Sequence, residues 1–420
     1  MKFYFAVLIV VLGCTSSSSS GARAEEHAAA LMDTLVHLKE LYAPLEPAEN
    51  LSVGAARFDK YLPLLLGKRI GVVANHTSLV DQTHLVDTLL SLGVNVAKVF
   101  APEHGFRGDA ANGEKIENGV DGATGLPVIS LYGSNKKPTP EMLKNLDVLV
   151  FDIQDVGARF YTYISTMHYV MEAAAELDKE VVVLDRPNPN GFYVDGPVLD
   201  LKYQSFVGMH PIPVVHGLTV GELAQMILGE KWLANGVECK LAVIPCEGYT
   251  HRIKYELPVP PSPNLASMAS VYLYPSLCFF EPTKVSVGRG TPNAFEIIGY
   301  PNYKIGSYGF TPISIPGKSV HPKYEGEACF GHNLEQFASF YFFNERMLYL
   351  DWLVQMYAYY PDKDSFFTLP EFFDKLCGTD QIRTMMEAGN SAEEIRESWS
   401  EELKKFKSMR KKYLLYVDFE

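Results

Sequence analysis

Short apolar runs alternate with amphipathic stretches between residues 69 and 200, and this alternation constrains the fold more than any other feature of the chain. The first run, RIGVVAN at Arg69–Asn75, is followed by DQTHLVDTLLSLG, whose apolar residues recur at helical spacing before a glycine. Three further apolar runs, NVAKVFA, DVLVFDIQD and EVVVLD, follow in the same alternation with helical segments. Because parallel strands buried on both faces read as continuous apolar runs, the sequence predicts an α/β fold with a parallel sheet covered by helices.

The pattern changes at a proline-rich break, PVPPSPN, which begins at Pro258. Residues 270 to 330 contain scattered strand-like pieces without intervening helices, and the rest of the chain has mainly helical periodicity. A capping box at Ser391–Glu394 predicts a helix that leads into a run rich in lysine and arginine. We therefore expect two domains, one over residues 45–262 and a smaller, mixed α+β domain over residues 263–420.

The N-terminus has the pattern of a secretory signal. An apolar run at Phe3–Leu12 is too short to span a bilayer as a helix, and it ends in the sequence VLGC. This ending resembles the bacterial lipoprotein cleavage box, so we expect Cys14 to carry lipid and Ser16–Ser20 to form a flexible tether. The alternative is an ordinary secretory signal that is cut nearby. The expected location is the bacterial cell envelope, with the protein lipid-anchored at a membrane, periplasmic or outer-membrane associated.

Composition and motif searches exclude several classes of function. The 37 lysines and arginines against 50 aspartates and glutamates give a net charge of −13, which would repel a nucleic-acid backbone. The chain has no G-x-G-x-x-G before a helix, no H-E-x-x-H and no G-x-S-x-G. The five cysteines beyond Cys14 form no C-x-x-C pair, so we expect buried thiols. Histidines 76, 104, 168 and 216 could meet Asp152 around a metal ion but lack local ligand spacing, and we predict neither metal nor cofactor.

Polar side chains follow each of the four apolar runs. The carboxyl ends of parallel strands share one edge of a sheet, which is where open α/β sheets bind their ligands. The residues that we expect at this edge are Asn75 and His76, Glu103 and His104, Asp152 and Gln154, and Asp185, Arg186 and Asn190. Their residue types point to carboxylate acid/base chemistry.

Five sequence words, APEHGFRG, DIQDVGARFYTY, LDRPNPNG, VHGLTVGE and YLLY, occur in this order along the chain. On the basis of these motifs, residues 45 to 420 resemble the NamZ-type exo-β-N-acetylmuramidase family. The resemblance implies a Rossmann-like domain, a smaller C-terminal domain that closes an active cleft, and removal of terminal N-acetylmuramic acid from the non-reducing end of peptidoglycan fragments. It also implies that Glu103, the glutamate of the E-H-G word, is catalytic.

A glycosidase needs a carboxylic acid that protonates the leaving oxygen and a second group that stabilises the oxocarbenium-like centre. Glu103 is our candidate for the acid, with His104 as a positioning neighbour. The second group stays open between Asp152, Asp185 and the substrate's own 2-acetamido oxygen. Muramic acid carries a lactyl carboxylate, which an arginine guanidinium can bind through two parallel hydrogen bonds. The candidate arginines are Arg107, Arg159, Arg186 and Arg289. The other expected substrate-binding residues are Asn75, His76, Gln154, Asp185, Asn190 and His216.

Two other function classes remain open from the sequence. In the first, the chain is a non-catalytic sugar- or muropeptide-binding lipoprotein in which Glu103 only accepts hydrogen bonds. In the second, it is a metal-dependent hydrolase that acts on the peptide part of the wall. Under the favoured reading the partners are peptidoglycan-derived saccharides such as MurNAc-GlcNAc and muropeptides.

Overall fold

The computed structural model describes residues 45–107 and 118–420, so the predicted signal peptide, the tether and Cys14 lie outside the described residues. The strands are, in chain order, β1 (Glu46–Pro47), β2 (Ile70–Ala74), β3 (Leu79–Val80), β4 (Thr83–His84), β5 (Val96–Ala101), β6 (Gly119–Val120), β7 (Pro127–Ser130), β8 (Val148–Asp152), β9 (Glu180–Leu184), β10 (Lys240–Ile244), β11 (Ile253–Lys254), β12 (Ile297–Tyr300), β13 (Tyr308–Phe310) and β14 (Cys329–Asn333).

The helices are α1 (Phe58–Leu65), α2 (Leu85–Ser91), α3 (Pro140–Leu143), α4 (Tyr163–Glu176), α5 (Val220–Gly229), α6 (Met268–Leu277), α7 (Glu335–Glu345), α8 (Asp351–Tyr359), α9 (Pro370–Cys377), α10 (Gln381–Glu387), α11 (Ala392–Glu397) and α12 (Ser400–Arg410). Thr139 caps α3, and Thr219 caps α5 in a full capping box with Glu222.

A seven-stranded sheet has the order β10-β9-β8-β2-β5-β7-β6. Neighbouring strands from β10 to β7 pair in parallel, and only the short edge strand β6 runs antiparallel to its neighbour. Counted from β7, this is the 3-2-1-4-5-6 order of a doubly wound Rossmann fold, with the reversal of strand order between β2 and β8. The predicted α/β class is confirmed.

Alternate residues of each buried strand enter different cores, which explains why the strands are apolar throughout. Val73, Phe100 and Phe151 lie in register across three strands and belong to the larger core. Their neighbours Val72 and Val150 face the opposite core, which α1 and α2 cover. The larger core continues without interruption into the helices that follow residue 263.

The chain after residue 263 contains a three-stranded antiparallel sheet in the order β12-β14-β13, together with helices α6 to α12. The helix predicted to run from the Ser391 capping box into the basic segment is wrong in one respect. It ends at Glu397 and a second helix begins at Ser400, because the intervening Trp399 is buried and donates its indole N–H to Asp195 at 3.0 Å. Residues Leu45–Phe419 form one compact unit, and the predicted boundary between residues 262 and 263 stays a prediction.

The described part of the chain contains no helix that is long and apolar enough to cross a membrane. Its five cysteines are all buried free thiols, as the sequence predicted.

Candidate active site

A cavity of about 690 Å³ opens beyond the carboxyl ends of β5 and β7, a volume within the usual range for a small-molecule site. Its wall is built from both halves of the described chain. Its polar and aromatic lining includes Glu103, His104, Tyr132, Thr162, Tyr163, Glu281 and Arg289. A second cavity, of about 820 Å³, lies against Leu79, Arg186 and Tyr255, and its lining includes none of Glu103, Asp152 and Asp185.

Glu103 lies in a tight turn directly after β5. The turn is closed by a hydrogen bond from the Gly105 N–H to the carbonyl of Pro102 at 3.1 Å. His104 has a φ of 70°, in the left-handed region that residues other than glycine seldom adopt. Such backbone strain persists where the surroundings impose it, often at functional sites. The turn therefore aims the Glu103 side chain into the cavity and places His104 beside it.

Two neutral hydroxyl groups hold the Glu103 carboxylate. The Tyr132 hydroxyl donates to Oε1 at 2.9 Å, and the Thr162 hydroxyl donates to Oε2 at 3.0 Å. Burial, together with the negative charge of Glu103, raises the pKa of Tyr132 well above its ordinary value, so this phenol stays protonated and remains a donor. With one donor on each oxygen, the carboxylate has a defined orientation at the cavity wall.

The positions of the Tyr132 and Thr162 hydroxyls are set by the sheet and by helix α4, respectively. Tyr132 follows the end of β7, which pairs in parallel with β5, so both side chains reach the same edge of the sheet. Thr162 is the N-cap of α4, a 14-residue helix that follows β8. Glu103 thus lies at the N-terminal end of α4, where the helix dipole interacts favourably with a negative charge.

Aromatic rings form much of the cavity lining. Tyr161 packs edge-on against Tyr163 and Tyr274, and Tyr274 packs in the same way against Phe295. The Tyr161 hydroxyl donates to the carbonyl of Pro261 at 2.9 Å, which fixes this ring across the cavity. Rigid aromatic surface next to a few convergent polar groups is the composition expected of a site for a small ligand such as a sugar.

Asp152 and Arg186, both predicted at the site, form a buried ion pair outside the cavity. Arg186 donates from Nε to Oδ1 of Asp152 at 2.6 Å and from Nη2 to Oδ2 at 2.9 Å. Arg186 also donates to the carbonyl of Leu79. The Asp152 carboxylate is fully engaged and inaccessible to solvent, so the structure does not bring it to Glu103.

Asp185, the other candidate for the second catalytic group, is also buried outside the cavity. It accepts hydrogen bonds from the Thr219 hydroxyl at 2.7 Å, the Gly221 N–H at 2.8 Å and the Tyr416 hydroxyl at 2.5 Å. Burial raises the pKa of Asp185 to about 6. Through Tyr416, this carboxyl connects strand β9 to the C-terminal YLLY word, a structural role that the sequence did not reveal.

The amide and histidine candidates are likewise held by main-chain groups. Asn75 accepts from the N–H and hydroxyl of Thr77, and Gln154 and Asn190 donate to main-chain carbonyls. His76 contacts the carbonyl of Pro260 at 2.8 Å. His216 is buried, and burial lowers its pKa to about 3. None of these residues lines the 690 Å³ cavity.

Of the four arginine candidates, Arg289 alone lines this cavity. Arg159 is fully buried and donates to the carbonyls of Pro197, Ile212 and Leu376 at 2.7 to 2.9 Å. Arg107 forms ion pairs with Asp87 and Asp121. The structure therefore brings together three of the predicted residues, Glu103, His104 and Arg289, and leaves the others elsewhere.

The sequence reasoning missed Tyr132, Thr162 and Glu281. A signal for Tyr132 exists in the apolar run LPVISLYG, which ends in a tyrosine and a glycine and could have been read as another strand of the sheet. Thr162 lies inside the quoted word DIQDVGARFYTY, but nothing local marks it as a partner of Glu103. Within the described ranges 45–107 and 118–420, no cluster of three or more histidine, cysteine, aspartate or glutamate residues has a geometry suited to a metal ion.

Comparison with known proteins agrees with this architecture. Residues 70–269 match the family model described as exo-β-N-acetylmuramidase NamZ, N-terminal, and residues 272–416 match the corresponding C-terminal model. The chain is 41% identical over 382 residues to the peptidoglycan β-N-acetylmuramidase NamZ of Bacillus subtilis (strain 168), covering 85% of this chain and 89% of that protein.

Two solved structures from Bacteroides fragilis NCTC 9343, both described as DUF1343 family proteins, share the fold. The first is 47% identical with a TM-score of 0.81, and the second is 32% identical with a TM-score of 0.76. Each alignment covers 88% of this chain and 100% of the solved chain. Since the two family models together span most of the chain and the identity to the Bacillus relative is high, the chain belongs to the NamZ family of exo-β-N-acetylmuramidases.

Proposed function

We propose that this protein is a glycoside hydrolase that removes terminal N-acetylmuramic acid from the non-reducing end of peptidoglycan fragments. The observation that carries the proposal is Glu103, a carboxylate aimed into a sugar-sized cavity and held by one hydroxyl on each oxygen. The Bacillus relative is a peptidoglycan β-N-acetylmuramidase, which supports the proposal. Substrates of this type, such as MurNAc-GlcNAc, arise during turnover of the cell wall.

Glu103 has partners that suit a group which must both give and take a proton. A hydroxyl can donate to a carboxylate and, after rotating its O–H bond, accept from a carboxylic acid. The hydroxyls of Tyr132 and Thr162 therefore support both protonation states without moving their heavy atoms. In the proposed mechanism Glu103 protonates the oxygen of the glycosidic bond as that bond breaks, and then accepts a proton from the incoming water.

Of the three candidates for the second catalytic group, the 2-acetamido oxygen of the substrate is the one that we now favour. Asp152 and Asp185 are buried outside the cavity and engaged by Arg186, Thr219 and Tyr416. A 2-acetamido oxygen that attacks the anomeric carbon needs a site that holds the sugar firmly, and the aromatic wall around Tyr161 and Tyr274 offers a rigid surface for that purpose.

Turnover of defined saccharides tests the proposal. We expect release of free N-acetylmuramic acid from MurNAc-GlcNAc and of the chromophore from a chromogenic β-N-acetylmuramide, with much slower action on the matching N-acetylglucosaminide. Chelation should leave the rates unchanged. Tight binding of these saccharides without turnover would support a binding lipoprotein instead, and activity that is lost on chelation and restored by zinc would support a metal-dependent hydrolase.

We also propose that the protein is anchored in the cell envelope by lipid on Cys14, on the strength of the VLGC ending of the apolar run. Cys14→Ala should move the protein from the membrane fraction to the soluble fraction of a host that processes lipoproteins. An unchanged distribution would contradict the anchor. Activity of the released variant on saccharides should match that of the parent protein.

A further inference from the structure

The tripeptide Gly288-Arg289-Gly290 has a constrained backbone that the proposed catalytic role of Glu103 does not explain. Gly288 and Gly290 have φ values of 77° and 82°. A Cβ atom on Gly288 would lie 2.5 Å from Ile297 Cγ1, and one on Gly290 would lie 2.6 Å from the carbonyl oxygen of Ile313. Both positions thus exclude any larger residue, and they hold Arg289 in a fixed place on the cavity wall.

The Arg289 guanidinium is anchored on one side only. Its Nε donates to both carboxylate oxygens of Glu281, at 2.9 and 3.2 Å, and its Cζ lies 5.0 Å from the centre of the Phe295 ring. Neither Nη1 nor Nη2 has a hydrogen-bond partner among the described residues, and the side chain retains 20% exposure in the cavity. Two parallel N–H groups therefore remain available as a fork, the geometry that binds a carboxylate in a bidentate manner.

The charges around this fork do not balance. Lys323 lies beside the Arg289–Glu281 pair and donates to the carbonyls of Phe280 and Val285 at 2.8 and 3.0 Å. Burial lowers the pKa of Lys323 to about 8, although the negative charge of Glu281 opposes this shift, so the ammonium is still charged at neutral pH. Two cations, of which only Arg289 is ion-paired, thus lie near the single carboxylate of Glu281, and this partly buried cluster carries an excess positive charge.

We propose that Arg289, oriented by Glu281 and supported by Lys323, is the subsite that binds the lactyl carboxylate of the terminal sugar and so separates N-acetylmuramic acid from N-acetylglucosamine. The inference rests on the proposed function, since it assigns the substrate-selecting group of the same cavity. A bound carboxylate would supply the missing negative charge and two acceptor oxygens for Nη1 and Nη2. A sugar with a hydroxyl in place of the lactyl ether would leave the cluster unbalanced.

A comparison of two substrates that differ only in charge tests this subsite. One is a chromogenic β-N-acetylmuramide with a free lactyl carboxylate, and the other is the same compound with a lactyl carboxamide. Wild-type protein should favour the free acid by at least about 30-fold in kcat/KM, the usual consequence of leaving a desolvated charge without its partner. Arg289→Gln should lose about that factor on the acid and little on the amide, so the preference should fall towards one. Arg289→Lys, which keeps the charge but not the fork, should lie between them.

Arg57→Gln is the matched control, because Arg57 is equally exposed at 19%, pairs with a single glutamate, Glu247, and does not line the cavity. It should leave the preference for the acid unchanged. A folded Arg289→Gln protein that keeps the wild-type preference would overturn the inference. The inference would also be overturned if Arg289→Gln lowered kcat/KM only on muramides whose lactyl group carries a peptide. Arg289 would then bind a carboxylate of the peptide instead of the lactyl carboxylate.

Failure of the proposed function gives a different result. If wild-type protein hydrolyses neither substrate, calorimetric binding of free N-acetylmuramic acid and N-acetylglucosamine still tests the subsite. Selective binding of the acid that Arg289→Gln abolishes would support the subsite on a non-catalytic protein. Equal binding of both sugars to both proteins would reject it.

Discussion

Replacing Glu103 with glutamine removes the exchangeable carboxyl proton while it keeps the shape of the side chain. In the folded protein the glutamine carbonyl can accept from either the Tyr132 or the Thr162 hydroxyl, and its amide can donate to the other, which turns to accept. At most one hydrogen bond is weakened, at a cost of about 1 kcal/mol in the free energy of unfolding. We therefore expect Glu103→Gln to fold and to bind substrate.

Turnover should fall far more than stability. A positioned general acid or base usually contributes about 10²- to 10⁴-fold to the rate. This factor corresponds to about 3 to 5 kcal/mol of transition-state stabilisation. Because Glu103 touches the substrate only through its carboxyl group in the proposed mechanism, the loss should appear in kcat, with KM nearly unchanged.

The assay compares two leaving groups. On MurNAc-GlcNAc the departing sugar oxygen needs a proton, so kcat of Glu103→Gln should fall by the full factor. On an aryl muramide the phenolate leaves more easily without protonation, and the loss should be smaller. Glu281→Gln serves as the control, since Glu281 is the other carboxylate of the cavity and holds Arg289; its substitution should raise KM more than it lowers kcat.

A folded Glu103→Gln protein with near-wild-type turnover of the disaccharide would refute the assignment of Glu103. Equal losses on both leaving groups would refute proton donation to the leaving oxygen as the main contribution of Glu103.

Three further predictions concern the surroundings of the site. Tyr132→Phe removes the donor to Oε1 of Glu103 and should lower kcat on the disaccharide about 10-fold, with an unchanged thermal midpoint to show that the fold is intact. Asp152→Ala strands the buried Arg186 charge and should cost about 3 to 5 kcal/mol in urea unfolding, whereas a double replacement of both residues by apolar ones should cost less. Burial lowers the pKa of His216 in the folded protein to about 3, below the ordinary value near 6.5, so the free energy of unfolding should decrease as the pH falls below 6.5, by up to about 1.4 kcal/mol per pH unit. His216→Asn should therefore make the urea midpoint less dependent on pH between 6.5 and 4. An unchanged slope would contradict this origin of the pH dependence.

The parallel sheet was accessible to sequence reasoning because its signal is local. Each strand is a continuous apolar run, and Thr139 and Thr219 mark the helix starts by residue type alone. Helix α6 was less accessible. Pro275 interrupts the run of helix-forming residues, and because most of the helix surface is buried, apolar and polar residues do not alternate with the period of an amphipathic helix.

The partners of charged residues could not be predicted, since they depend on contacts between distant segments. The three carbonyls that bind Arg159 lie 38, 53 and 217 residues away from it in the chain. The local sequence does not reveal that Arg159 donates from Nη1 and Nη2 to these carbonyls, whereas Arg289 keeps the same two nitrogens free of described partners. Residue type identified the candidates, and only the fold separates those that reach the cavity from those that stabilise the core.

A buried ion pair occupies the point of the sheet where the strand order reverses, and this affects where the cavity lies. In doubly wound sheets ligands usually bind at this point, here between β2 and β8. The Asp152–Arg186 pair lies there, and both oxygens of the buried Asp152 carboxylate already accept hydrogen bonds from Arg186. Glu103 is one strand further along, after β5, with neutral hydroxyl partners and an open face. Of the candidate carboxylates at the strand ends, Glu103 combines neutral partners with access to the cavity, whereas Asp185 also has neutral partners but is buried. In the proposed mechanism the site therefore lies away from the reversal point, towards β5 and β7.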